Sequence, residues 1–122
     1  MIIRTIAGDI TPDHLGRTNY HEHAFQISPL LPGDELNDFE KSCAEFTRLK
    51  ESGFDTYVDA TPLGLGRNLN GVKKLSENTR LKIVHTTGVH RSAHYAPNND
   101  LLTKSESELA GIFESEIRVG MT

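Results

Sequence analysis

Two histidines spaced two apart, His21 and His23, give the strongest chemical signal in the sequence. They fall near the end of a predicted extended stretch, where alternate side chains point to the same face. Two neutral imidazoles on one face can ligate a metal ion. Glu22 faces the other way, which favours a structural role. The spacing alone is weak evidence, because two ordinary polar histidines would give the same pattern.

Asp59 lies near the end of the second predicted strand. A carboxylate there can accept the ring N–H of a ligating histidine, which orients the ring and fixes its tautomer. An aspartate that merely stabilises the following turn fits the spacing at least as well, so both interpretations stay open.

Arg67 stands in the stretch GLGRN (64–68), which lacks the glycine spacing of a phosphate-binding loop. Arg67 can hold an anionic substrate group or form a structural ion pair. His90 and Arg91 on the loop after the third strand are further candidates for a substrate pocket.

Three other residues receive structural predictions. We expect His94 to lie on a solvated part of its loop and His85, inside the third strand, to be a satisfied core histidine. Cys43 is expected in the core on a helix face, and the sequence contains no GxSxG nucleophile motif.

These residues are positioned by extended and helical segments that alternate along the chain. After an extended segment over 2–10, extended stretches are predicted at 18–25, 56–61 and 81–86. Helices are predicted at about 38–52, from near 68, and from 105 to about 120. The first is amphipathic, with Asn37 as N-cap, Glu40 three residues on and Gly53 at its end.

The last helix has a capping-box spacing at Ser105 and Glu108. Its predicted buried side consists of Leu109, Ile112, Phe113 and Ile117.

The alternation predicts an α/β fold with parallel strands, either a doubly wound sheet or a (β/α)8 barrel. In both architectures the functional loops lie at the carboxyl ends of the strands. That position adds weight to His21 and His23.

The composition argues against several classes of protein. With 36% hydrophobic and 25% charged residues the chain is globular, and its net charge of −4 disfavours nucleic-acid binding. No apolar run reaches the ~20 residues of a membrane span. Cys43 is the single cysteine, and the N-terminus reads as no secretory signal, so we expect a cytoplasmic protein.

Taken together, the chain resembles the phosphotriesterase family of the amidohydrolase superfamily. The matching stretches are RTIAGDI (4–10), LGRTNYHEHAF (15–25), GFDTYVDATPLGLGRN (53–68), KIVHTTGVH (82–90) and the closing helix through EIRVG (116–120). LGxTxxHEH and VDxTxxxxGR together are quite specific, and the resemblance covers essentially the whole chain.

The resemblance implies a (β/α)8 TIM barrel with two divalent ions, usually zinc, at the strand ends. His21 and His23 match the pair that binds the more buried ion, and His90 matches a position that faces substrate. Asp59 and Arg67 match recurring positions that support the site. In this family a hydroxide bridging the two metals attacks a lactone or ester carbonyl, or a phosphotriester phosphorus.

The resemblance also implies ligands that this sequence lacks, on the fourth, fifth, sixth and eighth strands. A complete barrel needs about 250 residues. We therefore expect residues 1–122 to be the N-terminal portion of one hydrolase domain, the first three βα units of an incomplete barrel. Because a catalytic zinc normally has three protein ligands, metal binding by this chain alone should be weak. With open strand edges, it should be marginally stable or associate with itself.

Two functions follow from the sequence. The first is a metal-dependent hydrolase acting on a small-molecule lactone, ester or phosphotriester, with lactones preferred. The second is a non-catalytic truncated remnant, at most a folding or partner-binding module. A self-contained binding domain with structural histidines is disfavoured by the resemblance.

Overall fold

The computed structural model describes residues 1–121. It opens with an antiparallel hairpin of β1 (Ile3–Thr5) and β2 (Gly8–Ile10), where sequence analysis predicted one extended segment. The backbone N–H of Ile6, in the hairpin turn, donates to the carbonyl of Ile83, 2.8 Å away. This bond attaches the hairpin to the sheet described next.

Three parallel strands form the main sheet: β3 (Thr18–Glu22), β4 (Thr56–Asp59) and β5 (Lys82–His85), in that order. Glu22, Asp59 and His85 stand side by side at its carboxyl edge. Each strand ends one to three residues earlier than predicted. After Glu22 the backbone hydrogen-bonds to a side chain as well as to the neighbouring strand: the N–H of Ala24 donates to the Asp59 carboxylate.

A helix follows each of these strands: α1 (Phe39–Glu51), α2 (Leu69–Thr79) and α3 (Glu106–Arg118). The predicted α/β class with parallel strands is therefore confirmed. None of the helices among residues 1–121 has both the length and the apolar character to cross a membrane.

Helix caps show where local sequence patterns were sufficient. Asn68 caps α2, which was predicted to begin near this residue, and Ser105 forms the predicted capping box with Glu108 at α3. The predicted N-cap of α1, Asn37, is wrong. Asp38 has the extended backbone of a cap, and its carboxylate accepts the Lys41 N–H at 3.2 Å.

The hydrophobic core lies between the sheet and the first two of these helices. Its buried members are Ala24, Phe25, Phe46, Tyr57, Val72, Leu75, Leu81 and Ile83. Cys43 packs against this core, as predicted. Helix α3 adds no buried residue within the part of the chain described, and Ile117, predicted on its buried side, is 63% exposed. The other apolar residues of that side are half-buried because no further element covers them among residues 1–121.

Candidate active site at the carboxyl ends of the strands

His21 and His23 meet at the carboxyl end of β3. Their ring centroids lie 6.0 Å apart and the ring planes are nearly perpendicular, at 86°. His21 is the penultimate residue of the strand and is exposed, whereas His23 follows the strand and is half-buried. The two imidazole rings are therefore close neighbours at the strand end.

Thr61 holds the ring of His23. The hydroxyl Oγ1 of Thr61 is 3.0 Å from Nδ1 of His23 and donates to the carbonyl of Phe25 at 2.8 Å. No role was predicted for Thr61 from the sequence. Its place two residues after Asp59 marks it as a strand-end residue, but the ring that it contacts lies 38 positions away in the sequence.

Asp59 is buried, and its carboxylate accepts hydrogen bonds from backbone N–H groups rather than from a histidine ring. Its Oδ1 accepts the N–H of Thr61 at 2.9 Å, and its Oδ2 accepts the N–H of Ala24 at 3.4 Å. These contacts match the turn-stabilising alternative. Asp59 therefore joins the segments that carry His23 and Thr61.

Burial lowers the pKa of His23. The nearby Asp59 carboxylate opposes this shift and His21 adds to it. The lowered pKa favours the neutral imidazole at pH 7, which is the form that binds metal ions.

His85 was expected to be a satisfied core histidine, and that prediction is only half right. Its side chain is 4% exposed and its Nδ1 donates to the carbonyl of Thr86 at 3.1 Å. Its Nε2, however, has no hydrogen-bond partner among the described residues. The nearest carboxylate oxygen, Oδ2 of Asp59, is 3.7 Å away because Asp59 is held by backbone donors.

Arg67 forms a buried ion pair with Glu116 of α3. Its Nη2 lies 2.5 Å from Oε1 and its Nη1 lies 3.2 Å from Oε2, and the two side chains are 9% and 10% exposed. The Thr87 hydroxyl donates to the same carboxylate. Of the two roles left open for Arg67, its contacts correspond to the structural ion pair.

The loop after β5 carries His90 and Arg91, both exposed. His94 was predicted to be solvated, but it is 8% exposed, so that prediction is wrong. Its ring lies 3.9 Å from that of His90, centroid to centroid, and its Nδ1 is 3.1 Å from the hydroxyl of Ser28. The position of Ser28 on another loop, 66 residues away in sequence, explains why local polarity did not reveal the burial.

Tyr95 joins this loop to the loop after β4. Its hydroxyl accepts the N–H of His90 at 2.8 Å and donates to the carbonyl of Leu63 at 2.9 Å. Gly66 marks a further close approach, because a Cβ there would lie 2.6 Å from the backbone nitrogen of Ile27. The loops after β3, β4 and β5 are thus fastened together around the strand ends.

The histidine pair fits a divalent metal ion as a partial site. Neutral imidazoles suit zinc, and the Thr61 contact occupies Nδ1 of His23. No group of three or more His, Cys, Asp or Glu among residues 1–121 is placed to hold a metal ion. The described residues therefore supply two candidate ligands.

Comparisons with known proteins agree on one family. The model of the phosphotriesterase family matches residues 1–122. A phosphotriesterase homology protein of Mycobacterium tuberculosis is 36% identical over 95 residues, which are 72% of this chain and 29% of that protein.

Two solved structures extend the likeness to the fold. A double mutant of the organophosphorus hydrolase from Deinococcus radiodurans matches the whole chain and 40% of its own, with 32% identity and a TM-score of 0.82. A lactonase from Listeria monocytogenes matches 72% of the chain and 28% of its own, with 35% identity and a TM-score of 0.67. The chain spans between about a quarter and two fifths of these relatives. On these matches, the chain belongs to the phosphotriesterase family.

Proposed function

We propose that this chain is part of a metal-dependent hydrolase and forms the first three βα units of its (β/α)8 barrel. The observation that carries the proposal is the His21–His23 pair at the carboxyl end of β3, where barrel enzymes build their active sites. The remaining ligands and strands would come from segments outside these residues, as the chain spans 40% or less of the relatives described.

Each side chain of the site has a proposed task. His21 and His23 would hold one divalent ion, with zinc expected, in a two-ion site completed by other segments. A bound ion would polarise the oxygen of a carbonyl or phosphoryl group and acidify water. Thr61 orients His23, while burial favours the neutral form of that ring. His90 and Arg91, on the exposed loop after β5, would contact substrate.

The proposed substrates are small lactones, other esters or phosphotriesters. The Listeria neighbour is a lactonase and the Deinococcus neighbour an organophosphorus hydrolase. We favour a lactone because natural phosphotriesters are scarce. A cytoplasmic location stays a prediction, based on the sequence.

A second candidate function is a non-catalytic folding or partner-binding module. One observation favours it: residues 1–121 bring together no third metal ligand beside the two histidines. In that case the exposed Tyr20 of β3 and Ile117 of α3 would lie in self-association surfaces.

Metal reloading of the protein that contains this chain separates the two candidates. We expect chelator-treated protein to regain lactone hydrolysis with zinc, and His23→Ala to lower that activity by at least about 100-fold. His14→Ala, at an exposed histidine outside the site, should leave it unchanged. Full activity in a His21→Ala, His23→Ala protein would contradict the metal assignment. An absence of zinc-dependent hydrolysis of lactones, esters and phosphotriesters would favour the module.

A further inference from the structure

The hydroxyl of Thr61 has two polar neighbours and a single proton to share between them. It donates to the carbonyl of Phe25 at 2.8 Å and lies 3.0 Å from Nδ1 of His23. A carbonyl oxygen can only accept a hydrogen bond, so the hydroxyl proton belongs to the Phe25 contact. The second bond then requires that Nδ1 of His23 carry a hydrogen and donate it to Oγ1.

We infer that Thr61 is a positioning residue that fixes His23 as the Nδ1–H tautomer and leaves Nε2 as its free electron-pair donor. The hydrogen bond made by one ring nitrogen generally decides which nitrogen is available to a metal. Only the metal role of Nε2 rests on the proposed function; the tautomer follows from the hydrogen bonds alone.

Three backbone hydrogen bonds fix the segment that carries the Thr61 hydroxyl. Thr61 is fully buried, and its N–H donates to Oδ1 of Asp59 at 2.9 Å. The other oxygen of Asp59 accepts the N–H of Ala24, next to His23 in the chain. In addition, the N–H of Ala60 donates to the carbonyl of Glu22 at 2.8 Å, so the residues before and after His23 in the chain are both bonded to the end of β4. A β-branched side chain is also stiff about χ1.

His21 has no equivalent partner. Within residues 1–121 its ring makes no hydrogen bond, and its backbone N–H lies 3.5 Å from Oδ1 of Asn19. The two histidines therefore differ in how their tautomers are set. Thr61 fixes the tautomer of His23 before any ion binds, whereas no described hydrogen bond fixes the tautomer of His21.

Nitrogen NMR of the imidazoles in metal-free protein, recorded where both rings are neutral, tests the tautomer directly. The wild type should show a protonated Nδ1 and an unprotonated Nε2 for His23. Thr61→Val, which keeps the shape but removes the hydroxyl, should shift His23 towards the Nε2–H form. Thr61→Ser restores the hydroxyl and should restore the wild-type pattern, while the signals of His21 should stay the same in both variants.

Thr56→Val is the matched control. Thr56 lies at the opposite end of β4, is fully buried, and donates its hydroxyl to the carbonyl of Leu15. It should cause a comparable loss of stability without changing the tautomer of His23. In zinc titrations of the whole protein, Thr61→Val should weaken binding about 10- to 100-fold relative to Thr56→Val, and Thr61→Ser should recover it.

Two results would overturn the inference. One is an Nε2–H tautomer for His23 in the wild type. The other is a Thr61→Val protein whose tautomer and zinc affinity equal those of Thr56→Val. Because the tautomer is read without metal or substrate, a failure to find hydrolysis would remove the proposed function and leave this assignment standing.

Discussion

Helices α1 and α2, from the first two strand–helix units, and helix α3, from the third, are attached to the molecule in different ways. Phe46 of α1 and Val72 and Leu75 of α2 are buried in one core with Tyr57 of β4. Helix α3 has no buried apolar residue in the described structure. The same alternation of strand and helix therefore gives two helices held by apolar packing and one held by other means.

Polar contacts hold α3, whereas β5 of the same unit contributes Ile83 to the core. The carboxylate of Glu116 on α3 accepts from Arg67 and Thr87. Arg4 of the N-terminal hairpin donates through Nη1 to the carbonyls of Ile117 and Arg118 at 2.9 and 3.0 Å. Apolar packing depends on buried area, whereas these bonds depend on direction and charge. The third unit should therefore respond more strongly to single charge changes and to pH.

Glu116→Gln should produce the largest effect. It keeps the shape of the side chain but leaves the buried guanidinium of Arg67 without its counter-charge. Breaking a buried pair in this way costs about 3 kcal/mol or more. Urea denaturation should show this loss in the free energy of unfolding, and hydrogen exchange should locate the loss of protection in α3.

Glu114→Gln provides the control on the same helix. It breaks the Arg118–Glu114 pair, whose side chains are 73% and 62% exposed. Such surface pairs contribute about 0–1 kcal/mol. Equal losses in the two variants would mean that the Arg67–Glu116 pair does not hold the third unit.

Tyr95→Phe should have the next largest effect. It removes the hydroxyl that joins the N–H of His90 to the carbonyl of Leu63. A typical intramolecular hydrogen bond contributes about 0.5–1.5 kcal/mol, and this substitution removes two of them. Thermal unfolding should report the loss, and the backbone amide of His90 should exchange faster. Tyr20→Phe, at a tyrosine that is 81% exposed, should change stability by less than about 0.5 kcal/mol. A Tyr95→Phe protein as stable as Tyr20→Phe would contradict the proposed fastening of the loops.

Lowering the pH should destabilise the loop after β5 first and helix α3 second. The first of these two stages should be a smaller effect than the substitutions above. Burial, His90 and Arg91 together lower the pKa of His94 from its ordinary 6.5. Its contribution to stability is therefore complete above about pH 6.5 and is lost as pH falls through the lower, folded-state pKa. The loop after β5 should open first.

Helix α3 should follow at lower pH. Burial raises the pKa of Glu116, but the hydrogen bonds from Arg67 and Thr87 outweigh it, so the pKa lies below its ordinary 4.5. Stability from Glu116 is present above that ordinary value and is lost as pH falls through the folded-state pKa. Hydrogen-exchange protection factors at a series of pH values should separate the two stages. His94→Gln should remove the first stage, and a first stage that persists in this variant would contradict its assignment to His94.

Local patterns were sufficient for much of the fold. The spacing of apolar residues located all three helices, the start of α2 near Asn68 was correct, and the capping box at Ser105 was correctly assigned. The same reasoning chose Asn37 over Asp38 at α1, because adjacent capping residues differ only in which one adopts the extended backbone. It also missed the hairpin turn, since each arm of that hairpin has only three residues.

The features of the site likewise fall into those set by local sequence and those set by tertiary contacts. The sequence by itself determined the strand–helix alternation, the pairing of His21 with His23 at a strand end, and the membership of the family. Only the tertiary structure decided that Thr61, and not Asp59, contacts the ring of His23, and that His94 is buried. Periodicity reports contacts within one element, where geometry fixes which residues are neighbours. Hydrogen bonds between residues 38 or 66 positions apart depend on how separate loops pack, and no local pattern encodes that.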